Sequence, residues 1–324
     1  MISVGICTWN RAAALRRTLE TLVALDPPDA PWELLVVDNN STDDTPAVLR
    51  DFATRLPLRA FHEPRPGKSH AANLVLREAR GEWLVWTDDD VLVAPGWLRA
   101  YVQAFATWPA ADIFGGPIRP LFEGAPPSWL QRASALMPGV YAERELGAEP
   151  RRLEKSCDFP YGANMAFRTE AQRHYAFNPR IGPRPGSELR GEEVELIGRM
   201  VGDGRECRWV PGAAVRHVIP PARQSLRYAR AHEFGHGEYV AIMEPESLLP
   251  PVERWPRIAG VPPRLWLTAV KLELRFRAQY LLRRERPERW VGTMCAASAH
   301  WGFIATIRRA PRAHATAAAP LTTT

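Results

Sequence analysis

Three consecutive carboxylates follow an apolar segment in this 324-residue chain. Residues 81–87 are mainly apolar and aromatic, which predicts a strand, and Asp88, Asp89 and Asp90 come directly after it. In α/β folds, ligands bind at the carboxyl ends of strands. Mg²⁺ and Mn²⁺ prefer oxygen ligands, commonly one or two carboxylates together with substrate phosphates. The triplet is therefore a candidate metal site, although acidic turns after strands are also common as solvated features.

A second predicted strand also ends in polar residues. Residues 33–38 are mainly apolar and end at Asp38, which is followed by Asn40, Ser41 and Thr42. Two strands would thus deliver carboxylates to one edge of a sheet. Asp38 suits either of two roles: it can accept a hydrogen bond from a nucleotide base, or it can form an Asx-turn in which Ser41 or Thr42 caps the next helix.

The elements that position these residues alternate along the first half of the chain. We predict strands at 2–8, 33–38, 58–62, 82–88 and 112–116, and helices at 11–25, 44–55, 69–79 and 95–105. Such alternation with short connections predicts an α/β fold with a mostly parallel central sheet flanked by helices.

The second half is less regular. Residues 117–152 are rich in Pro, Gly and charge and are predicted to form a loop or an excursion over the sheet. Short strands are then predicted at 161–167, 208–210 and 213–217, with a helix at 192–201. From Arg223 the pattern is helical to about residue 307, with breaks at 245–263 and at Pro287.

Basic residues are concentrated near the C-terminus. The net charge is +6, and from Pro251 onward there are 13 Lys and Arg against 4 Asp and Glu. We expect one domain at 1–245, a helical basic extension at 246–309 and a disordered tail at 310–324. The basic, Trp-bearing helices are candidates for peripheral contact with an anionic membrane surface or an acidic partner, and a solvated helix face gives the same pattern. No nucleic-acid-binding motif is present.

The four cysteines are far apart in the sequence. Cys7, Cys157, Cys207 and Cys295 form no Cys-x-x-Cys pair, so neither a zinc ribbon nor a disulfide scaffold is indicated. The first residues resemble a strand and not a signal peptide, and no apolar run reaches the roughly 18 residues of a membrane span. We therefore expect a cytoplasmic protein, with peripheral contact at the inner face of the cell membrane as a further expectation.

Five short motifs, taken in order, resemble the inverting family 2 glycosyltransferases of the GT-A fold. They are Ile-Cys-Thr-Trp-Asn-Arg at 6–11, Val-Asp-Asn-Asn-Ser at 37–41, Gly-Lys-Ser-His-Ala-Ala-Asn at 67–73, the triplet at 88–90, and Gly-Glu-Glu-Val-Glu-Leu at 191–196. Each motif alone is unspecific, but their order and spacing across residues 1–240 are specific. The resemblance implies a GT-A, Rossmann-like fold and a nucleotide-sugar donor, with UDP as the first expectation. It also implies transfer to a hydroxyl of a saccharide, a lipid-linked saccharide or a small molecule.

The same resemblance implies roles for single residues. The residues that it implies for binding the nucleotide-sugar donor are Thr8, Asn10, Arg11, Asp38, Asn40, Lys68, Asp88 and Asp89. The side chain of Asp89 is nevertheless expected to point away from the donor. Asp90 is the expected ligand of Mn²⁺ or Mg²⁺, with Asp88 and His217 as further candidates. A lone histidine at a strand end is also often structural. Segment Gly162, Ala163, Asn164 is expected to line the donor sugar and the acceptor.

A pair of glutamates provides the candidate base. Glu192 and Glu193 stand where the family usually shows Glu-Asp, and Glu193 matches the second position. The additional methylene leaves the choice between Glu192 and Glu193 open, and acidic residues also suit the first turn of a helix.

Three other functions are suggested by single features of the chain. Gly67-Lys68-Ser69 is not a P-loop, because position 62 is His62 where that motif requires Gly. His232-Glu233-Phe234-Gly235-His236 fits a zinc protease motif, with Glu253 as a candidate third ligand, but Gly235 weakens the helix that it needs. The third alternative is a non-catalytic module that binds a sugar nucleotide. A homo-oligomer is a further expectation.

Overall fold

The computed structural model describes residues 1–184, 189–243 and 258–309, which form two compact units that divide between Ala229 and Arg230. The strands of the first unit are β1 (Ile2–Thr8), β2 (Trp32–Asp38), β3 (Leu58–His62), β4 (Trp83–Thr87), β5 (Val91–Val93), β6 (Ile113–Gly115), β7 (Ile118–Phe122), β8 (Arg152–Leu153), β9 (Asn164–Arg168), β10 (Cys207–Trp209) and β11 (Val215–Ile219). The helices along the chain are α1 (Ala12–Val23), α2 (Thr45–Phe52), α3 (Lys68–Glu78), α4 (Trp97–Thr107), α5 (Ser128–Ala133), α6 (Thr169–Arg173), α7 (Glu192–Gly202), α8 (Leu226–Met243), α9 (Pro263–Leu282) and α10 (Val291–Arg309).

An eight-stranded sheet organises the first unit, in the order β3-β2-β1-β4-β9-β6-β10-β8. The four strands from β3 to β4 are parallel, and β9 is antiparallel to both β4 and β6. The register pairs Thr8 with Asp38 at the carboxyl ends of β1 and β2. The polar residues after these strands therefore meet at one edge of the sheet, as the sequence predicted.

Helices cover both faces of this sheet because its strands are apolar on both sides. Leu34 and Val36 belong to a core shared with α1, α2 and α4, whereas Leu35 and Val37 belong to a core shared with α3 and α7. Successive side chains of a strand point to opposite faces, so β2 contributes to both cores in turn. The predicted α/β architecture is confirmed, with element ends that differ by at most three residues.

A second, three-stranded sheet was not predicted. It has the order β5-β11-β7, and it places β7 inside residues 117–152, so the prediction of a simple loop there is wrong. α5 also falls in this range, and β8 begins at its last residue. The three residues of β5 and the proline within β7 give weak local signals, and both strands form by pairing with β11, which is far away in sequence.

The second unit is helical, as predicted. Gly237 of α8 and Gly302 of α10 allow close backbone approach, because a Cβ added at either position would lie 1.9 Å from a carbonyl oxygen, that of Ala299 or Phe234 respectively. None of the described helices is long and apolar enough to cross a membrane. The predicted domain boundary near residue 245 and the predicted disordered tail at 310–324 lie outside the described residues.

Candidate active site

The central carboxylate of the triplet is turned into the protein. Asp89 is 4% exposed and accepts hydrogen bonds from Thr8 Oγ1 at 2.8 Å and from Arg11 Nη1 at 2.9 Å. Its carbonyl oxygen accepts from Thr18 Oγ1. Burial, with the neighbouring charge of Asp90, raises the pKa of Asp89 to about 6 against the opposing charge of Arg11. Asp89 thus ties the loop after β1 to the loop after β4, which agrees with the expectation that its side chain points elsewhere.

Asp90 lies at the centre of a group of cationic side chains. Its Oδ2 accepts from Arg11 Nη1 at 2.8 Å and from Arg223 Nη1 at 2.9 Å, and its Oδ1 lies 3.4 Å from His217 Nε2. Burial favours the neutral carboxyl, but the charge and hydrogen bond of His217, together with the charge of Arg11, hold the pKa of Asp90 below its usual range. Asp90 is therefore ionised at neutral pH.

The register of the second sheet brings His217 to the triplet. In β11, His217 pairs with Val91, and the main-chain nitrogen of Val218 donates to the carbonyl oxygen of Asp90. Nδ1 of His217 lies 2.9 Å from the carbonyl oxygen of Tyr141, which fixes the ring with Nε2 toward Asp90. Burial lowers the pKa of His217, but the charge of Asp90 and the hydrogen bonds to Asp90 and Tyr141 together outweigh burial and raise it.

Lys68 connects the triplet to the glutamate pair. Its Nζ lies 2.9 Å from Asp88 Oδ1 and 3.6 Å from Glu192 Oε1. Burial lowers the pKa of Lys68, but the charges of Asp88 and Glu192 outweigh burial and raise it well above its usual value. Lys68 is therefore a fixed positive charge between two acidic groups.

The glutamate pair opens α7, where Glu192 is buried and Glu193 is half-buried. Gly191 precedes it with a φ of 103°, a conformation that favours glycine. The Oε2 atoms of Glu192 and Glu193 are both buried, and neither has a hydrogen-bond partner among the described residues. Burial, with the charge of Glu192, raises the pKa of Glu193 to about 7 against the opposing charge of Lys68. Buried polar atoms are normally paired, and perturbed carboxyls cluster at functional sites.

A small cavity joins these groups. It is lined by Cys7, Lys68, Ala72, Trp86, Thr87, Asp88, Gly162, Met165, Phe177, Glu192 and Glu193. A Cβ added to Gly162 would lie 3.3 Å from Lys68 Nζ, so a glycine leaves room beside the ammonium group. The structure thus brings together Lys68, Asp88, Gly162 and the glutamate pair, which the sequence had indicated separately.

Two kinds of residue at this site were missed from the sequence. The apolar wall of Cys7, Trp86, Met165 and Phe177 has the same pattern as an ordinary core, so nothing distinguished it. Burial raises the pKa of the Cys7 thiol to about 12, which leaves it neutral and unreactive. No sequence motif indicated Arg223 as a site residue; it lies six residues after His217.

Ala163 and Asn164 support the site from within. The carbonyl oxygen of Ala163 accepts from Thr87 Oγ1. Asn164 is fully buried, and its Oδ1 accepts from Trp97 Nε1 and Tyr101 Oη. Its Nδ2 donates to the carbonyl oxygens of Pro117 and Ala213. Hydrogen bonds within the protein thus occupy both the oxygen and the nitrogen of this carboxamide. We therefore assign Asn164 a positioning role and not a contact with sugar or acceptor.

The loops after β1 and β2 are hydrogen-bonded to each other. Asn10, with a φ of 51°, accepts from the main-chain nitrogen of Thr42 at 2.7 Å, and its own nitrogen donates to Ser41 Oγ. Asp38 Oδ1 accepts from the nitrogen of Ser41, three residues on, at 2.9 Å, whereas α2 begins at Thr45 after Asp44, so the predicted cap by Ser41 or Thr42 is wrong. This hydrogen bond occupies one oxygen of Asp38, and its contact with a base stays a prediction. Asn40 is exposed beside it with a φ of 67°.

The acidic residues fit a hard divalent cation that substrate oxygens help to hold. The side chain of Asp88 is 26% exposed, and one of its oxygens is paired with Lys68. Asp90 Oδ1 faces Nε2 of His217, and this pair of atoms needs a proton or a cation between them. Across residues 1–184, 189–243 and 258–309, no three His, Cys, Asp or Glu side chains lie close enough together to hold a metal without further ligands. Mg²⁺ and Mn²⁺ sites are commonly completed by substrate phosphates, so Asp88, Asp90 and His217 fit such a cation.

The zinc-protease motif lies on α8 in the other unit. His232 and His236 are one turn apart, but His236 is exposed, and the described part of the chain gathers no third ligand beside them. Glu253 lies outside the described residues.

Sequence comparison places the first half of the chain in a family. Residues 3–175 match the model described as Glycosyl transferase family 2. Succinoglycan biosynthesis protein ExoM of Rhizobium meliloti (strain 1021) is 25% identical over 244 residues, which cover 73% of this chain and 73% of ExoM. Hyaluronan synthase of Pasteurella multocida is 26% identical over 249 residues, which cover 69% of this chain and 25% of that protein. The chain thus spans most of the first relative but only a quarter of the second.

Solved structures show the same fold. The mannosyltransferase PcManGT from Pyrobaculum calidifontis, in complex with GDP-Man and Mn²⁺, has a TM-score of 0.54 and 19% identity, covering 92% of this chain and 85% of that one. S. aureus TarS 1-349, in complex with UDP-GlcNAc, has a TM-score of 0.52 and 14% identity, covering 95% and 90%. The fold is therefore that of the GT-A glycosyltransferases. Because the family model covers more than half of the chain, and the motif order and the fold agree with it, the chain belongs to glycosyl transferase family 2.

Proposed function

We propose that this glycosyltransferase moves a sugar from a nucleoside diphosphate to a hydroxyl group by one in-line displacement with inversion, assisted by a divalent cation. The observation that carries the proposal is the cavity in which Lys68 lies beside Asp88 and beside the Oε2 atoms of Glu192 and Glu193, which have no hydrogen-bond partner in the described part of the chain. It combines a positive charge for a departing diphosphate with a carboxylate suited to proton abstraction.

Glu193 is the proposed base. Its pKa of about 7 is suited to taking a proton near neutral pH, and Glu192, nearer to Lys68, supports this value by its charge. As Glu193 accepts the proton of the acceptor hydroxyl, the hydroxyl oxygen attacks the anomeric carbon. The bond from that carbon to the diphosphate oxygen breaks, and its electron pair leaves with the diphosphate.

Basic residues are proposed to hold the diphosphate. Arg11, Arg223 and Lys68 end at or beside the triplet, and their charges oppose the negative charge that grows on the leaving group. A divalent cation at Asp88 and Asp90, with His217 as a further ligand, would add Lewis-acid stabilisation of that group. Thr8, Asn10 and Asp38 are proposed for the nucleotide side of the same edge.

A nucleotide-sugar donor and a saccharide acceptor are supported by the proteins that resemble this chain. PcManGT and TarS bind GDP-Man and UDP-GlcNAc respectively, and ExoM takes part in succinoglycan biosynthesis. We propose a UDP-sugar as the first donor to test and a free or lipid-linked saccharide as the acceptor class.

Thermal unfolding with a panel of nucleotide sugars, with and without Mn²⁺, tests the donor. A specific donor stabilises the folded state by mass action, by about 3 kcal/mol at one hundred times its dissociation constant. Transfer is then measured on saccharide acceptors, with anomeric configuration read by NMR. Absence of stabilisation by every donor, or a product with retained configuration, would contradict the proposal.

A further inference from the structure

Helix α9 carries apolar side chains on two opposite faces. Leu265, Ala269 and Phe276 are buried within the second unit. Leu267, Val270, Leu274 and Leu281 are 55%, 42%, 62% and 79% exposed, and Leu282 directly after them is 83% exposed. The first four recur at intervals of three, four and seven residues, so they form one stripe along the outer side of the helix.

Basic residues border this stripe. Lys271 and Arg275 lie along one side and Arg277 along the other, all exposed, and Arg283 and Arg284 follow at the end of the helix. The acidic residue within α9 is Glu273, which is turned away from solvent with a 12% exposed side chain and is paired with Arg230 and Arg277. The exposed apolar stripe is therefore bordered by positive charge on both sides.

We propose that this outer face of α9 docks on an anionic lipid bilayer, with the helix lying in the plane of the surface. Twenty residues give a helix about 30 Å long, and its leucines would enter the boundary between headgroups and acyl chains. The long basic side chains then reach back to lipid phosphates. This inference does not depend on the proposed reaction.

Charge complementarity favours a membrane over a second copy of the chain. Two copies joined through this stripe would bring Lys271, Arg275 and Arg277 of one copy near the basic residues of the other, which costs energy at an apolar interface. An anionic bilayer satisfies both features, because it accepts apolar side chains and supplies a layer of negative charge next to them.

Vesicle flotation tests the proposal on the full chain, with neutral phosphatidylcholine vesicles and with vesicles containing one third phosphatidylglycerol. The protein should bind the anionic vesicles. The double variant Leu274→Glu with Leu281→Glu should weaken binding at least about 100-fold, because two leucines lose their apolar contact. Lys271→Gln with Arg275→Gln should weaken binding about 30-fold on anionic vesicles only, and added salt should have the same effect.

Leu136→Glu is the matched control, because Leu136 is also an exposed leucine, at 52%, but lies in the first unit. It should leave vesicle binding unchanged. All variants alter exposed side chains, and circular dichroism with thermal unfolding verifies that they fold. Failure of the unaltered protein to bind anionic vesicles, or equal binding by the leucine double variant, would overturn the proposal. So would a dimer, seen by light scattering, that the same double variant dissociates.

Discussion

Replacing Glu193 with Gln should stabilise the protein while removing its activity. The folded-state pKa of Glu193 is about 7 against an ordinary value of 4.5. The folded protein therefore holds this proton more tightly than the unfolded chain does. Below pH 4.5 both states are protonated and the residue has no ionisation cost. As the pH rises to 7 and above, the folded state must hold a carboxylate that its surroundings disfavour, and stability falls.

The size of the effect follows from the same pKa. The difference of roughly 2.5 pH units corresponds to about 3 kcal/mol, which is an upper value because Glu192 and Lys68 adjust when one charge changes. Glutamine cannot ionise, so the variant avoids this cost. We expect Glu193→Gln to raise the free energy of unfolding by up to about 3 kcal/mol at pH 8 and by much less at pH 5.

Urea unfolding at pH 5 and pH 8 measures this difference, without donor or added divalent cation. Glu149→Gln, at an exposed position, is the control and should show no such gain. Transfer by Glu193→Gln should fall about 100- to 10,000-fold while donor binding is kept, because the base acts on the acceptor. In the unaltered enzyme, kcat/KM should rise with pH through about 7. Equal stability of variant and parent at pH 8, together with full turnover, would refute both the buried carboxylate and its role as base.

Three further changes test other parts of the structure. Asp90→Asn should abolish the additional thermal stabilisation by donor that Mn²⁺ gives, and unchanged stabilisation would argue against a cation at this carboxylate. Asn164→Ala should cost about 2 kcal/mol or more in urea unfolding, since Trp97 Nε1 and the other partners of the amide lose hydrogen bonds; a cost near zero would contradict its positioning role. Gly302→Ala should lower the unfolding temperature, because its Cβ would meet the carbonyl oxygen of Phe234, whereas Gly292→Ala, with open space around it, should not.

The sequence predicted those parts of the site that lie next to strong local patterns. Asp38 ends one apolar strand and Asp88 follows another, so their own segments indicated both, whereas Glu193 was indicated by the resemblance of residues 191–196 to the family motif. The contact of Asp90 with His217 and Arg223 depends on the pairing of β5 with β11, which are more than a hundred residues apart. Such a pairing is decided by packing of the whole fold and leaves no trace in a window of a few residues.

The apolar side of the cavity was unpredictable for a related reason. Trp86 and Phe177 have the burial and residue type of an ordinary core, and they pack edge to face against each other. Only the position of Lys68 and the glutamate pair beside them shows that this part of the core borders a polar cavity. For Asn164 the family resemblance implied contact with the sugar or acceptor, and only the hydrogen bonds show that its carboxamide faces inward.

The cationic group around Asp90 also determines how the site interacts with an approaching anion over distance. Four basic side chains at the site, three of them paired with Asp90, stand against five carboxylates in the triplet and the glutamate pair. With all of them ionised, the group is close to neutral and slightly negative, so it produces little long-range attraction for a diphosphate. Donor association should therefore speed up when a divalent cation is present and should vary only weakly with ionic strength without one. The proposed binding of a diphosphate would then depend on short-range exchange of ion pairs at Arg11, Arg223 and Lys68 and not on long-range electrostatic attraction.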